Sequence, residues 1–320
     1  MATCFLCGTE MAPRFKTRDH LRPNVSTEYS LEWCASCDFG RIAGHYSPDE
    51  VAAFYPENYY THIAPGDERN RPKRLLDRLR VHLAWGTDRG LDLSPGEAPR
   101  SKATPTLCDV GCGGGQAMSE FKQAGYNVVG IEPDPSARNL ASRIGTVFPG
   151  TAEALPNAIT NRQFDVVLLS HVLEHCIDPQ AALANVKRLL APNGTAILEV
   201  PNNAALGFQM YGPGWFFADI PRHLQFFTEN SLRRALDQAG LRVTKAIYTG
   251  YARQFSPEWL AAQKQIRTNT NLDRSRQWQG NVWSLLAQTA SAIPSKKYDS
   301  IRVHAVHADA QNHPTLEPGK

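Results

Sequence analysis

Short, almost wholly apolar runs alternate with stretches of helical periodicity through the middle of the chain, and this alternation predicts the fold. Asn127 to Ile131, Asp165 to Leu169 and Thr195 to Val200 are β-branched or apolar runs, as strands covered on both faces should be. Between them, Met118 to Ala124 runs up to Gly125, a natural helix C-cap. Pro179 to Leu190 places Ala182, Val186, Leu189 and Leu190 at helical spacing before Pro192 and Gly194. Strands alternating with helices predict a parallel, doubly wound α/β sheet, continued by strands near Val243 to Tyr248 and Ile301 to His307. Further forward, Ser47 and Pro48 open a short helix ahead of an aromatic turn that includes Tyr59 and Tyr60. Arg71 to Trp85 reads as an amphipathic helix, with Leu75, Leu76, Leu79 and Leu83 on one face and arginines on a solvated one. Residues 86 to 105 read as a linker, and the tail from Ala308 as disordered.

The first core strand, Leu107 to Val110, leads into Gly111-Cys-Gly113-Gly-Gly-Gln116, then a helix, then a second strand closed by Glu132. A pyrophosphate fingerprint asks for a third glycine where Gln116 stands. Asp109 would also oppose a phosphate at the helix N-terminus, yet it suits a cofactor bearing an ammonium and a sulfonium. S-adenosylmethionine is such a cofactor. Glu132 is placed to accept hydrogen bonds from its ribose hydroxyls.

With these residues in view, the chain resembles the class I S-adenosylmethionine-dependent methyltransferases from about Thr104 to Tyr248. The resemblance implies a Rossmann-like seven-stranded sheet. It implies that Gly150 to Pro156, with Ala152 and Glu153, lines the adenine, and that Phe164 to His175 holds the fourth strand and the methyl-transfer turn, with Ser170 and His171 at the cofactor. Leu189 to Thr195 resembles the Pro-x-Gly turn before the fifth strand.

Two C-x-x-C pairs, Cys4/Cys7 and Cys34/Cys37, have the spacing of a closed tetrahedral zinc site. Disulfides suit the chain less well: its start has no charged and apolar leader, so a reducing cytoplasmic setting is expected. Cys108, Cys112 and Cys176 read as small packing residues. No apolar run approaches the ~20 residues of a membrane span. Residues 1 to 80 carry 11 Lys plus Arg against 11 Asp plus Glu, and the whole chain a formal +3, so no nucleic-acid partner is expected. The N-terminal pattern resembles methyltransferases whose zinc module packs over the cofactor site, among them enzymes acting on nucleotide-linked sugars and small metabolites. The expected organisation is a zinc-binding and lid module over 1–71, a helix and linker over 72–103, and a catalytic domain over 104–320 with an insertion at about 252–299, which includes Trp259, Trp278 and Trp283. Self-association is left open.

Tyr211 to Thr228 forms an aromatic loop carrying Arg222 and His223, and such segments in the family lie as a lid beside the methyl donor. His223 is the first candidate for acid-base or acceptor-orienting work, followed by His171 and His175. A blander reading has Arg222 and His223 only tying the loop down. The expected activity is methyl transfer to an oxygen, or a carbon, of a small polar acceptor such as a sugar derivative. In a second reading His171, Glu174 and His175 hold a catalytic divalent metal, because the turn resembles that of ubiquinone-biosynthesis O-methyltransferases, where an acid replaces His171. Mg²⁺ fits two imidazoles poorly. A third reading, from another class, is a non-catalytic binding adaptor with a vestigial cofactor pocket.

Overall fold

The computed structural model describes residues 3–55, 75–87, 93–98, 102–270, 272 and 282–309. Tyr59, Tyr60, Trp278, the start of the Arg71 helix, parts of the 86–105 linker and the tail beyond residue 309 lie outside the described residues.

The N-terminal segment forms β1 (Ala12–Arg18), β2 (Glu28–Cys34) and β3 (Phe39–Ile42), then α1 (Pro48–Ala52) and α2 (Leu75–Thr87). The catalytic part runs β4 (Thr106–Val110), α3 (Gln116–Gln123), β5 (Asn127–Ile131), α4 (Pro135–Ala141), β6 (Thr146–Phe148), β7 (Phe164–Ser170), α5 (Pro179–Leu189) and β8 (Leu190–Pro201). It continues with α6 (Leu206–Tyr211), β9 (Gln225–Phe226), α7 (Glu229–Gln238), β10 (Leu241–Thr249), α8 (Pro257–Asn269), α9 (Val282–Ala290), α10 (Pro294–Lys297) and β11 (Ser300–His307).

Seven strands make one sheet in the order β10-β11-β8-β7-β4-β5-β6, parallel from β8 to β6 and antiparallel where β11 enters between β8 and β10. This is the doubly wound Rossmann-like sheet expected. Six of the seven residues of β7 are buried, and so is most of β8, as central strands covered by helices on both faces require. The strand order reverses beside β4, and the crevice at the carboxyl ends there is where a ligand fits.

The N-terminal sheet has the order β1-β2-β3-β9, so its last strand comes from the lid loop. Ser47 caps α1 through a capping box with Glu50, and Thr228 caps α7. The helix α2 departs from expectation. Leu79, Leu83 and Trp85 are exposed, whereas Arg80 is buried and donates from Nε to the Phe255 carbonyl at 3.0 Å. The arginine stem covers apolar surface while its head meets a main-chain acceptor, and helical periodicity alone cannot reveal such a partner.

Candidate active site

The turn after β4 is built on glycines with positive φ: 73° at Gly111, 52° at Gly113 and 86° at Gly115, a region that side chains bearing a Cβ rarely occupy. A Cβ on Gly111 would lie 2.5 Å from Val172, whereas one on Gly113 would meet nothing within 4 Å. Gly111 thus permits close packing, and Gly113 faces open space at the strand ends. Its N–H donates to Glu132 Oε2 at 2.8 Å, and the Asp134 N–H donates to Oε1 at 2.9 Å. Asp109 is buried beside Glu132. Burial first, and the Glu132 charge second, push Asp109 up to about 7. Paired buried carboxylates favour a cation with hydroxyl donors over a phosphate.

Ala152 is buried, and its carbonyl and that of Glu153 each accept from Asn185 Nδ2 at 2.9 Å. The Glu153 carboxylate accepts the Asp178 N–H at 2.7 Å, so the turn before Pro156 is pinned to the start of α5.

Ser170 ends β7 beside Glu199 of β8. His171 follows with φ 55°, and its N–H donates to the Glu199 carbonyl at 2.8 Å. Its Nδ1 lies 3.0 Å from Glu174 Oε1, its Nε2 lies 3.8 Å from Glu199 Oε1, and the ring stacks on Phe217 at 5.2 Å. Burial disfavours the charged imidazole, but the Glu174 hydrogen bond and the charges of Glu174 and Glu199 outweigh it and raise the His171 pKa. Burial alone would raise Glu174; His171 more than offsets this and holds it below the ordinary value.

His175 and His223 meet edge to face at 4.6 Å. His175 Nδ1 lies 3.0 Å from the Arg222 carbonyl and 2.9 Å from the Tyr55 hydroxyl, and His223 Nδ1 lies 2.8 Å from the Phe217 carbonyl. A carbonyl only accepts, so each Nδ1 carries a proton, and in the neutral ring the lone pair is on Nε2. Burial first, then His175, push His223 down to about 4. Ligand atoms of Glu174, His175 and His223 lie within 4.8 Å of one another, and Glu174 Oε2 is buried without a hydrogen-bond partner. The groups that converge therefore differ from the set His171, Glu174 and His175 read from the sequence. His171 turns onto the other Glu174 oxygen, and His223, 52 residues beyond it in the chain, replaces it through folding of the lid.

A cavity of about 180 Å³ opens on His223, walled by Phe216 and Phe217 of the lid and by Ala262 and Ile266 of α8. The insertion after β10 thus helps to shape it, with Trp259 packed at a tilt on Phe216, ring centroids 4.2 Å apart. The lid is fastened by Arg222, which is fully buried. Its guanidinium donates to Asp219 at 2.8 Å, to Asp19 at 2.9 Å and to the Phe54 carbonyl at 3.1 Å. Arg222 is indeed a tie, as the blander reading held. Sequence reasoning missed Asp19, because nothing near it marks a partner about 200 residues away.

The four N-terminal cysteine sulfurs lie within 4.8 Å of one another, with Cys7 Sγ 3.6 Å from Cys34 Sγ. Zinc bound to four thiolates at ~2.3 Å sets its sulfurs ~3.8 Å apart, so the group fits that ion. Burial pushes Cys4 up to about 11, while the Thr9 hydroxyl draws Cys7 down to about 6. Phe39 packs on Phe227 at 5.3 Å, and Gln238 Nε2 donates to the Leu6 carbonyl at 2.8 Å. The cysteine end therefore docks on α7. The N-terminal segment reaches the histidines elsewhere, through β3, Asp19 and Tyr55.

A glycine turn and two strand-end acids on a seven-stranded, doubly wound sheet define an S-adenosylmethionine-dependent methyltransferase. A family model described as a methyltransferase domain matches residues 68–246, more than half of the chain, and the protein belongs to that family. The chain is 33% identical over 179 residues to the ubiquinone biosynthesis O-methyltransferase of Cereibacter sphaeroides (strain ATCC 17029 / ATH 2.4.9), a match covering 52% of this chain and 70% of that one. It is 38% identical over 112 residues to an uncharacterized methyltransferase of Mycolicibacterium vanbaalenii, covering 33% of this chain and 43% of that one. Among solved structures, the Burkholderia thailandensis 1,6-didemethyltoxoflavin-N1-methyltransferase, bound to 1,6-didemethyltoxoflavin and S-adenosylhomocysteine, is similar with TM-score 0.46 and 15% identity, covering 93% of this chain and all of that one. Among the described residues no helix is long and apolar enough to cross a membrane.

Proposed function

We propose that the protein transfers the S-adenosylmethionine methyl group to an oxygen, or an acidic carbon, of a small molecule seated in the His223 cavity. The observation that carries this reading is His223 in the wall of a cavity shared by the lid and α8, its Nδ1 held by the Phe217 carbonyl. Asp109 would meet the cofactor's ammonium, Glu132 its ribose hydroxyls, the turn from Ala152 to Glu153 its adenine, and Ser170 and His171 its methionine part. The cofactor supplies a carbon already activated by a sulfonium; the chain supplies position and an acceptor for the departing proton. The cavity weighs against a free saccharide, since buried hydroxyls need partners. One donor of each of its amides already meets a neighbour: Asn269 Nδ2 donates to the His20 carbonyl at 2.6 Å, and Gln265 Nε2 to Asn269 at 2.7 Å. An acceptor with one reacting hydroxyl and an apolar face fits better. Incubation with methyl-labelled S-adenosylmethionine and a panel of such hydroxyl compounds should yield S-adenosylhomocysteine and a labelled product. Failure to bind the cofactor at all would sink the reading and revive the adaptor.

Cys4, Cys7, Cys34 and Cys37 are proposed to hold one structural zinc. Cys34→Ser should lower the melting temperature and open the first ~55 residues to protease, because metal affinity is folding energy for so small a module. Purified protein without zinc, prepared in the absence of chelator, would refute this.

A second reading is favoured by the unpartnered Glu174 Oε2 facing two imidazoles. Two nitrogens and one carboxylate suit Zn²⁺, Fe²⁺ or Mn²⁺ better than Mg²⁺, and such an ion would acidify the acceptor hydroxyl. Co²⁺ titration of metal-free protein should then saturate at two ions per chain, and at one in Glu174→Gln, with the thiolate charge-transfer band retained. Saturation at one ion in the wild type rules this reading out.

A further inference from the structure

A larger cavity, about 320 Å³, lies where the N-terminal sheet meets the loop leaving β8, and it shares no wall residue with the His223 cavity. Arg14 of β1, Trp33 of β2, Asp38, Asn203 and Lys296 of α10 line it. Trp33 is held flat against Gly40 on the neighbouring strand, where a Cβ would come within 2.6 Å of the ring. The Arg14 guanidinium lies over that indole at 4.1 Å and over Phe208 at 4.8 Å. Stacking of this kind fixes the plane of the guanidinium and leaves its N–H edge free to donate. Among the described residues neither Arg14 nor Lys296 makes an ion pair. Asn203, at the start of the loop leaving β8, is 3% exposed, and its Nδ2 is buried without a partner. A buried amide donor with no acceptor is uncommon in a folded protein, and this one belongs to the wall of a cavity.

All three uncommitted groups are donors, two of them cationic. The complement is a group that only accepts and carries negative charge. Asp38 is the one acid in the wall. Burial lowers the Arg14 pKa and the Asp38 charge opposes that shift; Asp38 leaves the three ionisable wall groups one positive charge in excess.

We infer that this cavity binds an oxyanion, a carboxylate or phosphate, carried on an apolar body that contacts the cavity-lining part of Trp33. The oxyanion meets the Arg14 edge, the Lys296 ammonium and the Asn203 amide, and the apolar body contacts the part of the Trp33 side chain that lines the cavity. The site is independent of the methyl-transfer reading, because none of its residues belongs to the strand-end pocket or the histidine cluster.

The test is a calorimetric titration of the full chain at low ionic strength with phenyl phosphate, inorganic phosphate and phenol as probes. Phenyl phosphate should occupy one saturable site, more tightly than inorganic phosphate, and phenol should not bind measurably. Arg14→Gln and Lys296→Gln should each weaken phenyl phosphate at least tenfold. Asn203→Asp, which turns a donor into an anion of the same shape, should abolish binding. S-adenosylmethionine affinity, measured on the same samples, should be unchanged in the Arg14 and Lys296 variants, which shows that they are folded. No saturable binding by the wild type, equal affinity in Arg14→Gln and Lys296→Gln, or phenol binding as tightly as phenyl phosphate would overturn the proposal. Because Asn203 is buried and its substitution strains the fold, the two cation variants decide the outcome.

Discussion

Replacing His223 with alanine is expected to lower turnover roughly 10² to 10⁴-fold at saturating cofactor while leaving S-adenosylmethionine affinity nearly unchanged. His223 lines the cavity proposed for the acceptor rather than the Asp109–Glu132 pocket, so its loss should strike the step in which the acceptor gives up a proton. His171→Ala should disturb both quantities. That ring follows β7 directly, stacks on Phe217 and is hydrogen-bonded to Glu174, so its removal changes the strand end where the methyl donor is expected. The pH dependence follows from burial. With its pKa pushed down to about 4, His223 is neutral throughout the neutral range, and its Nε2 lone pair stays available. Turnover at saturating cofactor should therefore show no inflection from this residue near pH 6.5, and should lose its contribution only as pH falls through about 4. A His223→Ala enzyme with near-wild-type turnover on the true acceptor, or one that no longer binds cofactor, would reduce His223 to a loop anchor.

The second large effect is expected at Asp109 and Glu132. Glu132→Ala should weaken S-adenosylmethionine binding at least tenfold, about 1.4 kcal/mol or more, because a carboxylate placed for two charge-assisted hydrogen bonds is lost. Asp109 adds a pH signature. Folding raises its pKa from 3.8 to about 7, chiefly through burial. For the ligand-free fold, the protonated side chain's stabilising contribution is complete below about pH 4, and it is lost as pH climbs through 7. A cationic cofactor prefers the ionised form, so affinity should fall by about tenfold per pH unit below about 7. Asp109→Asn should remove that slope and bind the cofactor weakly. It should also melt at higher temperature than the ligand-free wild type at pH 8, by an amount reflecting a shift worth roughly 4 kcal/mol. Calorimetry from pH 6 to 7.5 showing a flat affinity profile in the wild type would remove Asp109 from the cofactor's ammonium.

Much of this protein was legible along the chain because its central elements announce themselves locally. A strand covered on both faces is largely apolar, which is why Asn127 to Ile131 appeared with the bounds that β5 has, and why Phe164–Ser170 differs from expectation by only a residue at each end. Caps are equally local: Ser47, Gly125 and Thr228 carry their meaning in backbone geometry within a few residues. The glycine turn and the acids at Asp109 and Glu132 belong to the same class, since a strand-turn-helix unit needs them at fixed spacing. So do the paired cysteines, each pair set by one tight turn.

Tertiary structure alone decided which groups from distant segments share a space. Periodicity assigned the Leu79 and Leu83 face of α2 to the interior, yet among the described residues Arg80 is buried with Ala84, and its acceptor is a carbonyl from beyond β10. His171, Glu174 and His175 share one turn, but the ligand-type atoms that come within 4.8 Å of one another belong to Glu174, His175 and His223. The lid carrying His223 is positioned by an arginine bonded to Asp19 and by a strand paired with the N-terminal sheet. The local pattern of a segment records the period of its burial and the chemistry of its turns. It holds no record of which remote donor or acceptor will meet a buried polar group, and in this protein that meeting places the histidines, the lid and both cavities.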